Sequence, residues 1–174
     1  MRLNNLVRAA MFSALGIGIG YAFMLIPNIE FLTFTVFLAG LTLGVRWGLI
    51  VGLVTEFLFS ALNPMGSGLM FPPMIIFQTI GMTIVGGTGG LARGWFFQTE
   101  FSRSKKIQLA VIGFILTFIF DSLTTLSFPL ASGFDAPQTL GVYLSGLGFT
   151  LLHQISNATI FALGTPGMMT VIRK

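Results

Sequence analysis

The sequence predicts an all-α integral membrane protein, one bundle of six transmembrane helices with both termini in the cytoplasm. Three observations carry that expectation. The 174 residues are 54% hydrophobic and 8% charged, with a mean hydropathy of +0.91, whereas a soluble domain carries about 25% charged residues. The stretch from Ile107 to Leu126 is almost wholly apolar, and its length matches one helix across a hydrocarbon core of roughly 30 Å. All nine Lys and Arg fall in segments that a six-span path places on one face, and such a bias marks the cytoplasmic side.

In chain order, the first span is Val7 to Ile26, broken at Pro27-Asn28, with Glu30 in the break on the outer side. A short second span, Ile29 to Gly44, turns near Arg46 into a third, Trp47 to Leu62, which Asn63-Pro64 closes. One long tilted helix from Phe31 to Pro64 is the rival reading. It would reach roughly 50 Å, too long for one crossing. After the glycine-rich loop Met65 to Leu69, the fourth span is Phe71 to Leu91, followed by a polar connector, Ala92 to Lys106. The fifth span is Ile107 to Leu126. It begins beside Arg103, Lys105 and Lys106, and so runs outward. A loop with Pro129, Gly133 and Pro137 leads to the sixth, Leu140 to Leu163, which Thr165-Pro166-Gly167 is expected to end. No segment outside the spans is long enough for a second folding unit, so residues 1–174 are expected to form one domain. Arg2 to Phe23 could pass for a signal peptide, but no A-x-A-like cleavage site follows the apolar run.

Composition also excludes. Without cysteine there is no disulfide, thiol nucleophile or thiolate-ligated metal, and no metal or cofactor is expected. The net charge of +4 is a topology signal, and no nucleic-acid partner is expected, because no basic stripe coincides with a reading surface. Gly87-Thr88-Gly89-Gly90-Leu91-Ala92 imitates a dinucleotide fingerprint but ends a membrane helix where a strand would be required. Asn157-Ala158-Thr159 is a sequon inside a span. Gly66-Ser67-Gly68 lacks the spacing of an intramembrane serine protease, and Ser67 lies far in depth from the single histidine, His153.

Polar side chains inside the spans fall on faces, and a rise of about 1.5 Å per residue converts position into depth. An outer layer holds Asn63, Gln78, Asp121, Thr124, Thr125 and Tyr143, with Thr150 on the same face as Tyr143. The loops Met65–Met70 and Phe128–Gln138 can fold over it. Asp121 matters most, because a carboxylate in a span costs about 2.5–3.5 kcal/mol on insertion scales and must face protein or a wet cavity. This outer layer is the expected substrate site. A deeper layer holds Glu56 and His153, with Gln154 or Asn157 nearby. There a carboxylate and an imidazole are expected to satisfy each other, as a structural pair or as the floor of a deep pocket. His153 is the one basic side chain in either layer, so an anionic substrate is disfavoured. A neutral or cationic, partly aromatic solute fits better.

Small residues recur at helical spacing: Gly16 and Gly20 in the first span, then Gly40, Gly44, Gly48 and Gly52 through the second turn. Such ladders let helices approach closely. Ala10 and Ala14 form a further pair, suited to packing inside the bundle or to a smooth face for a partner helix. The six-span length, the Ala10-x-x-x-Ala14 pair and the stretch Gly44-Val-Arg-Trp-Gly48-Leu-Ile-Val-Gly52-Leu-Val-Thr-Glu56 together resemble the substrate-binding S components of energy-coupling factor (ECF) vitamin transporters. Val45 stands where that family often has proline, and Glu56 where aspartate is common. The resemblance implies a multi-pass subunit of the cytoplasmic membrane that captures a vitamin-like ligand from outside. It implies docking through the first span, at Ala10 and Ala14, onto a transmembrane coupling protein driven by two ATPase subunits. It also implies that spans four, five and six are neighbours, which lets Gln78, Asp121 and Tyr143 converge. The chain has no Walker motif of its own. The rivals are an intramembrane enzyme using Glu56, Asp121 or His153, and a structural membrane protein without a ligand.

Overall fold

The computed structural model describes residues 3–97 and 100–173; Arg2 and Lys174, both in the basic count above, lie outside them. The described chain is all-helical: α1 (Leu3–Phe23), α2 (Leu32–Leu43), α3 (Val45–Ala61), α4 (Pro72–Leu91), a single turn α5 (Arg93–Phe96), α6 (Arg103–Ser132) and α7 (Ala136–Ile172), with a 3-10 turn at Gly68–Met70. This is an all-α membrane protein. Helices α1, α4, α6 and α7 are each long and apolar enough to cross a bilayer.

The centre of the bundle is α2. All twelve of its residues are buried, packed by α1, α3, α4 and α7. A helix apolar on every side has no face to give to water or lipid, and burial is what that pattern dictates. It spans only about 18 Å. Phe34 and Phe37 lock it to α7 through Phe161, with ring centroids 5.8 and 4.9 Å apart.

Glycine sets how tightly α2, α3 and α4 meet. A methyl group on Gly48 would strike the Gly86 carbonyl and come within 2.8 Å of the Gly40 Cα, and one on Gly86 would strike the Gly48 carbonyl in return. Gly52 faces the Met82 backbone in the same way. The ladder read from the sequence is therefore a packing seam, with one exception. Gly44 takes φ +91 between α2 and α3, a conformation open to glycine at little cost. The sharp turn expected near Arg46 sits at Gly44 instead, and Arg46 is already helical.

Two further expectations are corrected. The loop proposed over 127–139 is mostly helix. α6 runs on through Pro129 to Ser132, and α7 starts at Ala136. Only a tight turn separates them, because Gly133 caps α6 with φ +69 and Asp135 opens α7 with a capping box to Gln138. Pro137 falls in the first turn of α7, where its missing N–H costs nothing. At the other end, Pro166 does not stop α7, which continues to Ile172. Proline is tolerated inside membrane helices where neighbouring groups re-satisfy the backbone.

Arginine and lysine collect at one end of the bundle. Arg93 lies over the Phe97 ring at 4.8 Å, Lys105 over Phe96 at 4.9 Å and Arg173 over Phe101 at 5.3 Å. The Arg173 guanidinium also donates to the Phe96 carbonyl at 2.7 Å, tying the end of α7 to the connector before α6. On α1, Ala9, Ser13, Gly16 and Gly20 form the buried face, and the Ser13 hydroxyl accepts a 2.9 Å bond from Thr55 of α3. Ala10 and Ala14 point away from it and are exposed. They do not pack inside the bundle.

Candidate binding site

At the end opposite the basic residues, the chain between α1 and α2 bends inward. Pro27 precedes Asn28, which takes φ +61, a left-handed conformation that asparagine accepts more readily than most residues. The bend turns the Glu30 side chain back into the bundle. One carboxylate oxygen, Oε2, accepts the Thr33 backbone N–H at 2.9 Å, which satisfies an unpaired donor in the first turn of α2. The other, Oε1, accepts from the Asn157 amide at 2.9 Å and lies 3.5 Å from His153 Nε2. Asn157 and His153 are one turn apart on α7 and so share a face.

His153 is the hub. Its Nδ1 lies 2.9 Å from Asp121 Oδ1 on α6. Both ring nitrogens therefore face carboxylate oxygens, and only the imidazolium form offers a donor to each. The linker before α2, the middle of α6 and the middle of α7 are pinned together by this one ring.

Beside this network lies a cavity of about 500 Å³. The linker (Phe23, Met24, Pro27 to Glu30) forms one wall. Glu56, Phe59 and Asn63 of α3 and its end, Gln78 and Met82 of α4, Phe120 of α6 and His153 of α7 are among the residues that form the rest. The Ser60 hydroxyl donates to the Gln78 side-chain carbonyl at 3.0 Å. Glu56 is 2% exposed, and its Oε2 has no hydrogen-bond partner. Among the described residues, no Lys or Arg lines this cavity.

The residues expected to bind substrate divide between two places. Asn63 and Gln78 line the cavity, and so do Glu56 and His153; the two layers drawn from depth share one chamber. Asp121, Tyr143 and Thr150 instead line a crevice of about 130 Å³ between α6 and α7. Asp121 meets the main site only through His153. The Tyr143 hydroxyl donates to the Ser122 carbonyl at 2.8 Å, and the Thr150 hydroxyl to the Leu147 carbonyl at 3.0 Å. Thr124 and Thr125 line neither space. The expected convergence of Gln78, Asp121 and Tyr143 is not formed, because the α6–α7 contact turns Tyr143 toward its neighbour helix. The expected Glu56–His153 pair is also corrected, since the imidazole is already held by Asp121 and Glu30.

Glu30 lies at the end where reading the sequence placed it, but its part in the site was missed. A signal for it existed. An acid three residues ahead of Thr33, just before an apolar helix, is positioned to accept a backbone N–H of the first turn. A carboxylate held there points along the helix end rather than into water.

A family model described as the ECF transporter substrate-specific component matches residues 4–172. The chain belongs to this family. No protein with a curated description and no solved structure matches it. As an S component, the protein is the substrate-binding subunit of an ECF importer, a multi-pass membrane protein that works with an energising module and is not an enzyme. A chamber with convergent polar groups inside an apolar bundle is the form such a task requires.

Proposed function

We propose that this S component captures a neutral or cationic, ring-bearing vitamin or vitamin precursor from outside the cell, in the cavity beneath the Met24–Glu30 linker. The cavity itself carries the reading. Its volume of about 500 Å³ lies within the roughly 300–1,000 Å³ range of small-molecule sites. Phe23, Phe59 and Phe120 give it an aromatic lining, and Glu30, Glu56, Asn63, Gln78 and His153 add polar groups. Thermal melting of the purified protein against a vitamin panel tests it. A ligand at a hundred times its Kd should stabilise the fold by about 2.7 kcal/mol. A panel that leaves the melting temperature unmoved throughout would count against capture.

In this reading the chain crosses the cytoplasmic membrane six times, with both termini and the basic end inside, and the cavity opens outward. The clustering of Arg93, Lys105 and Arg173 at the end opposite the cavity supports this orientation. Docking onto a transmembrane coupling protein with two ATPase subunits runs through α1. The exposed Ala10 and Ala14 offer a smooth surface on which another helix can approach closely. Ala14→Leu should therefore abolish cellular uptake while the purified variant binds ligand like the parent. Equal loss of both would move Ala14 from the docking face to the fold. In the same cells, a membrane-impermeant thiol reagent should label Ser67→Cys and spare Ser104→Cys; the reverse pattern would invert the orientation.

A further inference from the structure

We infer that Glu56 is the specificity-determining anchor of the site, and that the captured solute is an organic cation carrying N–H donors, which it presents to Glu56. The inference rests on the capture reading above and deepens it. Three carboxylates surround the cavity and its histidine hub, and they are not equivalent. Glu30 has both oxygens engaged, by Thr33 on one side and by Asn157 and His153 on the other. Asp121 also has an oxygen without a partner, but it is turned to His153 and the α6–α7 crevice and does not line the main cavity. Glu56 alone combines three properties: it lines the main cavity, it is 2% exposed, and one of its oxygens has no partner.

A buried carboxyl oxygen without a donor is costly, and beside an open cavity a ligand donor is the partner that would relieve that cost. Charge makes the counterpart specific. With His153 as imidazolium between Glu30 and Asp121, that trio already carries one negative charge in excess. Ionising Glu56 would add a second, which its burial and the absence of a lining Lys or Arg among the described residues oppose until a cation arrives. An anionic solute would meet repulsion there, and a neutral one would leave the imbalance standing. A cation with N–H groups removes it and supplies the missing donor in one contact. Phe23, Phe59 and Phe120 line the same space, and an aromatic wall tolerates an organic cation.

Three probes of nearly one shape test this: benzamidinium, benzamide and benzoate, at millimolar concentration with the purified full chain. Binding is read by thermal melting and by ligand-detected NMR. Benzamidinium should bind about tenfold to a hundredfold more tightly than benzamide, the range for a hydrogen bond to a charged group, and benzoate should bind least. Glu56→Gln should erase the difference between benzamidinium and benzamide. Glu56→Asp, which keeps the charge, should retain a preference for the cation. Should Glu56→Gln fail to fold, the ranking of the three probes on the parent chain still decides. Equal binding of the three, no binding of benzamidinium, or an undiminished preference in Glu56→Gln overturns the inference. The capture reading falls separately, only if the vitamin panel yields no ligand of any charge. A panel hit that is neutral or anionic sustains capture and overturns the anchoring role of Glu56.

Discussion

Gly86→Ala should be among the most damaging single-methyl additions in this protein, costing about 3 kcal/mol or more of stability. Extra methylenes forced into a packed core typically cost about 1–3 kcal/mol because side chains and backbone must shift. Here no side chain can yield. The added Cβ would meet the Gly48 backbone of α3, carbonyl oxygen and carbon both, so two helices must separate. Gly48 in turn abuts Gly40, and Gly90 abuts Val45, so the strain spreads through α2 as well. Two control substitutions set the scale. At Gly87 the nearest atom is the Leu49 side-chain tip at 2.8 Å, which can rotate away; Gly87→Ala should cost much less. At Gly18 nothing lies within 4 Å, and Gly18→Ala should stabilise by about 0.5–1 kcal/mol through helix propensity alone. Melting of the three variants in detergent without ligand gives the ranking. If Gly86→Ala melts with Gly18→Ala, the seam does not hold α3 against α4. Function should follow stability, because the seam ends at the site. Gly52 faces the backbone of Met82, and Met82 lines the cavity together with Glu56.

The seam also shows which parts of this fold are legible without coordinates. Glycine at four-residue spacing favours close approach, so Gly40, Gly48 and Gly52 could be read as packing from the sequence, although Gly44 of the same ladder makes the turn, and the helical runs could be located, but not bounded, by their hydropathy. The partner across the seam could not be read. Gly86, Gly89 and Gly90 sit in a glycine-rich run whose spacing fits several faces at once, and only the crossing of α2, α3 and α4 selects one. The polar site divides in the same way. Depth along each helix placed Asn63, Gln78, Glu56 and His153 at workable levels, and the cavity does take in all four. Rise alone does not fix rotation about the helix axis. That is why Tyr143 and Thr150, at suitable depths, turn into the α6–α7 crevice. Glu30 escaped because a proline break reads as an outward loop, whereas the left-handed Asn28 turns this one inward. The proline signals failed for a related reason: Pro129 and Pro166 would end helices in water, but in this bundle both stay inside them.

The second large effect should come from the histidine hub. Removing one partner of a buried charge network leaves the others uncompensated, at a cost of roughly 3–5 kcal/mol. His153→Ala would leave Glu30 and Asp121 on the two sides of the vacated ring, both deprived of a donor. It should produce the lowest ligand-free melting temperature of the site variants. Asp121→Asn removes one carboxylate but keeps an oxygen within reach of His153 Nδ1, so the network loses a charge and not its geometry. Glu30→Gln should be mildest for the fold, since an amide oxygen can still accept from Thr33 or Asn157 and His153 keeps Asp121. The order in stability is therefore His153→Ala lowest, then Asp121→Asn, then Glu30→Gln. Affinity should follow a different order. Glu30 belongs to the linker that walls the cavity, so Glu30→Gln, by removing a negative charge beside the bound solute, should weaken binding while the fold stays near the parent. Asp121→Asn, one residue further from the cavity, should lose less. Melting curves with and without ligand, together with calorimetry on the three variants, separate the two orders. If Glu30→Gln binds like the parent while Asp121→Asn loses binding, the solute sits in the α6–α7 crevice and the chamber beneath the linker is not its seat.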